Sequence, residues 1–107
     1  MPDQRREERA TVEARFTARD ASGAGTLTFV SQDVSSGGAF LKSELLLEQG
    51  EALSVQFDVP NEGPVRAEAR VAWVRRFPEV GQFAGMGVEF VSISDADRAA
   101  IVRWLAR

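Results

Sequence analysis

Gln32-Asp33-Val34-Ser35-Ser36-Gly37-Gly38-Ala39-Phe40 is the stretch on which the fold reading turns. It lies between two runs that read as β-strands, so it joins them. Within six residues it offers a carboxylate at Asp33, hydroxyls at Ser35 and Ser36, and adjacent glycines at 37 and 38. Val34 and Phe40 are apolar enough to anchor such a loop to a core. Two readings of it stand side by side. Asp33 and Ser35 can form an Asx or ST turn that only closes a hairpin, and Gly37-Gly38 can be only a bulge. Alternatively the oxygens face a ligand, and the glycines let the backbone take φ > 0 and let something come close.

Working outward, Thr26 to Val34 is β-branched and aromatic, with Leu27 and Phe29 on one face, and reads as the incoming strand. Asp20 to Gly25 is rich in turn residues and predicts a hairpin loop. Before it, Val12, Ala14 and Phe16 alternate with Thr11, Glu13, Arg15 and Thr17, a strand with one buried face. Ala39-Phe40-Leu41 continues beyond the loop as a short strand. Ser43 to Gly50 has Leu45-Leu46-Leu47 without β-branching, and a helical turn or irregular loop over the core is expected there. Leu53, Val55, Phe57 and Val59 alternate with polar residues, as do Val65, Ala67, Ala69, Val71 and Trp73. Met86 to Val91 is a last strand. Ser94-Asp-Ala-Asp97 resembles a capping box with Asp at N3, followed by Ala100, Ile101, Trp104 and Leu105 at helical spacing. About six strands and one helix predict an all-β barrel with a C-terminal helical cover.

Residues 1–9 are almost wholly polar and are expected to form a flexible N-terminal segment, with residues 10–107 the folded domain. Arg5, Arg6 and Arg9 stand out in it. Guanidinium forks match phosphate and their planes stack on bases, so the segment has the chemistry of a clamp. Glu7 and Glu8 dilute its field. Trp73 and Trp104 are expected in the core or under the helix, and Arg75 and Arg76 at a solvated strand end.

Composition narrows the functional classes. The chain has 107 residues, 44% hydrophobic and 27% charged, with a formal net charge of −3. That is one domain without the broad basic surface of a nucleic-acid binder. It contains no Cys, His or Tyr. Thiolate and imidazole chemistry are therefore absent, and no dense acidic cluster marks a metal site, so no enzyme activity, metal or cofactor is expected. No apolar run is long enough to cross a membrane, and the charged N-terminus is unlike a secretory signal, so a cytoplasmic location is expected.

The pieces together resemble the PilZ domain family, the bacterial receptor module for cyclic di-GMP. Its motifs are RxxxR before the first strand and [D/N]xSxxG between the second and third. Here they read Arg5-Arg-Glu-Glu-Arg9 and Asp33-Val-Ser35-Ser-Gly-Gly38. Each is short, but the pair in this order and setting is far more specific. The segment from Gly25 to Phe90 is similar to single-domain PilZ proteins common in myxobacteria. The resemblance implies a six-stranded antiparallel β-barrel with a C-terminal α-helix. It implies a cyclic di-GMP site made of Arg5, Arg6, Arg9, Asp33, Ser35 and Gly38, and an adaptor that changes its surface toward a partner protein in motility, pili, biofilm or exopolysaccharide control. The alternative it leaves open is a protein-interaction module that does not bind cyclic di-GMP, with apolar residues near Leu45–Leu47 and Phe77–Phe83 as its contact. No DNA or RNA partner is expected, and the protein is expected as a monomer or homodimer.

Overall fold

The computed structural model describes residues 9–10, 14–20, 25–44 and 47–106, the side chains of Arg9, Ala10 and Asp20 excepted. Its elements are β1 (Arg9–Ala10), β2 (Arg15–Asp20), β3 (Thr26–Ser35), β4 (Gly38–Lys42), β5 (Ala52–Val59), β6 (Gly63–Arg75), β7 (Gly85–Ile93) and α1 (Asp95–Leu105). The strands form one antiparallel sheet in the order β1-β3-β2-β5-β6-β7-β4, and a further β3–β4 pairing closes the six longer strands into a barrel. The expected fold is therefore present. β2 and β3 pair antiparallel as far as Arg19 opposite Thr26, and residues 21–24 of the hairpin loop expected from Asp20 to Gly25 lie outside the described residues.

Strand β3 is shared along its length. Its first half pairs with β2, from Arg19 opposite Thr26 to Arg15 opposite Val30. Its second half pairs with β4 on the other edge, where Asp33 faces Phe40 and Ser35 faces Gly38. The edge that β2 leaves free is taken by β1, with Arg9 opposite Ser35 and Ala10 opposite Val34. The backbone at the end of the RxxxR motif is thus in register with the middle of the other motif.

Period-2 alternation carries the core. Leu53, Val55, Phe57 and Val59 of β5 and Val65, Ala67, Ala69 and Val71 of β6 all point inward and are buried. Phe16 and Phe57 stack across the β2–β5 pair with ring centroids 4.1 Å apart. A bulge breaks the alternation in β6, where the pairing to β7 shifts between Val71 and Trp73. The extra residue turns Trp73 to the outside, where it is 43% exposed, and leaves Val74 packed on the core. The expectation of a core position for Trp73 is corrected on this ground. Phe40 is corrected likewise. It is buried, but Ala39 and Leu41 are its strand's contribution to the core, and Phe40 lies outside the barrel wall. The segment 43–44 and 47–50 is irregular and ends in a turn at Gly50, so no helical turn occupies the described part; Leu45 and Leu46, like Val12, lie outside the described residues.

Helix α1 covers one side of the barrel. Ser94 caps it, its Oγ accepting from the Asp97 N–H at 3.0 Å. The Asp97 carboxylate does not reach back to complete a capping box. It accepts instead from the backbone N–H of Arg66 at 3.1 Å, which pins the first turn to β6. Ala100 and Ile101 are buried, and Trp104 meets Phe57 at 6.5 Å between ring centroids, as the helical spacing predicts. Arg103 grips Glu62 at 2.7 Å from the far side, and that carboxylate holds its guanidinium above the ordinary range.

Candidate functional site

The β3–β4 turn is tied by its own residues. Ser35 is fully buried; its Oγ accepts from the Gly37 N–H at 3.1 Å and donates weakly to the Gly38 carbonyl at 3.4 Å. This is the ST-turn geometry, so the hydroxyl shapes the loop from beneath. Gly38 has a packing reason of its own. A Cβ there would collide with the Val88 carbonyl oxygen of β7, so only glycine lets β4 lie this close. The Gly37 carbonyl accepts from the Phe90 N–H at 2.8 Å, which fastens the turn to β7.

Beside this turn an open cavity of about 510 Å³ lies on the outer barrel face. Asp33, Gly37 and Gly38 line it from the motif, Phe40 from β4, Trp73 and Arg75 from β6, and Gly87 and Glu89 from β7. Phe40 and Trp73 stack nearly parallel, with centroids 5.2 Å apart and planes 19° apart. The Arg75 guanidinium packs against both, 5.1 Å from the Phe40 centroid and 5.2 Å from that of Trp73. Arg75 also donates to the Phe83 carbonyl at 3.4 Å. The expectation of a solvated Arg75 is therefore corrected. Arg76 next to it is exposed and 3.8 Å from Glu48, as expected of a strand end.

Glycines make room for this platform. A Cβ on Gly87 would strike the Trp73 indole, and one on Gly85 would strike Phe40 and the Leu41 carbonyl. Gly85-Met-Gly87 thus offers a smooth groove on the outside while Met86 fills the core. Glu89 continues the row and is bonded to Arg70 at 2.5 Å.

The structure brings Asp33, Ser35 and Gly38 together at one turn, and sets the Arg9 backbone against Ser35. Arg5 and Arg6 lie outside the described residues, as does the Arg9 side chain. Sequence reasoning missed Phe40, Trp73 and Arg75 as cavity residues. A signal was present: two glycines at i and i+2 in a strand leave one face bare, and bulky partners on the neighbouring strands must fill it. Chemically, the cavity pairs a flat aromatic surface with a carboxylate acceptor and a guanidinium. That suits a planar group with N–H donors attached to an anion. Among the described residues no cluster of acidic, His or Cys side chains is placed to hold a metal ion, and no helix is long and apolar enough to cross a membrane.

The family model described as PilZ domain matches residues 3–107. Among solved structures, MotI/DgrA, the inhibitor of motility of Bacillus subtilis, superposes with a TM-score of 0.84 at 20% identity over 99% of this chain and 51% of that one. The chain therefore spans about half the length of that protein. The PilZ domain of YcgR from Escherichia coli, solved with c-di-GMP, gives 0.70 at 20% identity, covering 98% of this chain and 93% of that one. The PilZ domain of CeSA from a cellulose-synthesizing bacterium gives 0.62 at 17% identity, covering 92% and 94%. No curated protein matches by sequence.

Proposed function

Because the chain belongs to the PilZ domain family, we propose that it is a cyclic di-GMP receptor that acts as an adaptor on a partner protein. One observation carries this: the register that sets Arg9 opposite Ser35 joins the two motifs beside a cavity lined by Asp33, Trp73 and Arg75. Cyclic di-GMP carries two guanines and two phosphates. A guanine presents N1–H and N2–H₂ along one edge, which a carboxylate such as Asp33 accepts in a bidentate pair. Its faces stack on Trp73 and on guanidinium planes, a contact of about 1–3 kcal/mol per base. Arg5, Arg6 and Arg9 supply charge-assisted bonds to phosphate and to guanine O6 and N7, each about 1.5–3 kcal/mol. A handful of these, less the cost of ordering the N-terminal segment, gives sub-micromolar to micromolar affinity. Ser35 and Gly38 act mainly by shaping the turn. The ligand engages the arginines of the RxxxR motif against the barrel wall, next to the Arg9–Ser35 pairing, and so changes the surface shown to the partner. YcgR was solved with this ligand and MotI is an inhibitor of motility, which supports the reading and favours motility control as the output.

Titration calorimetry with cyclic di-GMP tests it. Saturable heat is expected, lost or weakened in Arg9→Ala, with guanine selectivity eroded in Asp33→Ala. No heat and no thermal stabilisation at high micromolar ligand would overturn it. A second reading, a ligand-independent interaction module, draws on one observation: Phe77 is 90% and Val80 fully exposed in the loop bordering the cavity. If Arg9→Ala kept full function in cells while Phe77→Ser abolished it, that reading would replace the first.

A further inference from the structure

The turn at the heart of the site is held from an unexpected direction. Arg98 of α1 donates from Nη1 to the Ser36 carbonyl oxygen at 3.0 Å, across 62 residues of sequence. Ser36 opens the β3–β4 turn, and the next residue, Gly37, lines the cavity. The other end of the link is rigid. α1 is capped by Ser94, pinned to β6 through Asp97 and anchored in the core by the fully buried Ile101. The acceptor is a backbone carbonyl, and among the described residues no carboxylate forms an ion pair with Arg98. The bond adds a tie from α1 to a turn that Phe90 already fastens to β7, and leaves a positive charge beside it.

We infer that Arg98 is a positioning residue of the cavity, tying the Ser36-Gly37 turn to α1, so that occupancy of the cavity and the seating of the first turn of α1 are coupled. By reciprocity, what strains or relaxes the turn on binding also acts on the helix. The route runs through one hydrogen bond between two otherwise fixed elements, with no rearrangement of the core. The identity of the ligand, though not the tie itself, rests on the function proposed above.

The test compares wild type, Arg98→Ala and Arg98→Lys by amide exchange without ligand and by calorimetry with cyclic di-GMP. Arg98→Ala is expected to speed exchange at Gly37 and Gly38 about fivefold or more while leaving the β5–β6 hairpin and the Tm unchanged. It is expected to weaken cyclic di-GMP binding about three- to tenfold. Arg98→Lys, which keeps a donor for the carbonyl, should recover most of both. In a Trp73→Phe background Trp104 is the remaining tryptophan. Its fluorescence should respond to saturating ligand when Arg98 is present and not in the Ala variant. Unchanged exchange at the turn in Arg98→Ala overturns the inference whether or not ligand binds. So does faster exchange spread evenly over the barrel with a fallen Tm, which marks a merely structural contact. Absent heat in the wild type overturns the ligand reading instead, and the ligand-free exchange data still decide the tie.

Discussion

Two concave outer faces among the described residues of the barrel are of similar size and opposite character. The groove across β2, β5 and β6 has a volume of about 460 Å³ and is lined by Thr17, Arg19, Ser54, Gln56, Arg66 and Glu68 among others. Its side chains satisfy one another: Ser54 donates to Glu68 at 2.8 Å, and Arg66 to Gln56 at 3.1 Å. That is the solvent side of an ordinary antiparallel sheet, polar where the inner face is apolar. The groove beside the motif turn breaks that pattern. Glycines stand where polar side chains should be, two stacked rings fill the vacated space, and a guanidinium lies on them. Concavity is common to both faces; an aromatic surface half open to water belongs to one. The difference teaches where to look for a site on a barrel: at the strands whose outer face fails to alternate.

Substitutions sharpen the contrast, the largest effect first. Gly38→Val drives a branched side chain into the β7 backbone. It should cost about 1–3 kcal/mol of stability by overpacking and abolish cyclic di-GMP binding, read by thermal melting and calorimetry. Trp73→Ala removes the exposed ring of the platform. A loss of about 10- to 100-fold in ligand affinity is expected, with little change in Tm because the residue is half outside. Gly87→Ala is milder. The atoms nearest its new methyl all belong to the Trp73 indole, so the ring shifts before the backbone does; affinity should fall about tenfold or less with the fold intact. On the other face, Ser54→Ala and Glu68→Ala should change stability by no more than about 0.5 kcal/mol and affinity not measurably. If those two weakened binding as much as Trp73→Ala, the distinction between the faces would collapse.

Much of this was legible in the chain. Period-2 alternation placed β5 and most of β6 because each has one face in the core, and a one-residue slip would expose all of it. Ser94 and the Ala100, Ile101, Trp104 spacing placed the helix. The errors have separate causes. A bulge at Ala72 inverts the face assignments after it, so Trp73 read as core. Arg75, two residues on and on the same face, read as a solvated strand end from its charge alone, and its packing on the rings appears only once Trp73 is turned outward. Phe40 read as a core anchor because burial outside the wall, under Trp73 and Arg75, looks the same in sequence as burial within it. Asp97 bonding to Arg66 and Arg98 to Ser36 were illegible for another reason. Both depend on how α1 docks, and no local pattern encodes that. At the motif, Asp33 and Gly38 were found by spacing, but the packing demand on Gly38 emerges only once β4 and β7 are neighbours.

The β3–β4 pairing that closes the sheet has a consequence for recognition. Each of the six barrel strands has a neighbour on both sides over part of its length, so among the described residues none presents a bare edge from end to end. Adding a strand to an exposed edge is a common way for one protein to capture another, and it reads backbone more than sequence. The closed ring leaves only short stretches for that route. A partner must take most of its grip from side chains, which can be exchanged one at a time without touching the ladder beneath them. Descendants of one such barrel can therefore acquire different partners while keeping the same frame and the same motif turn.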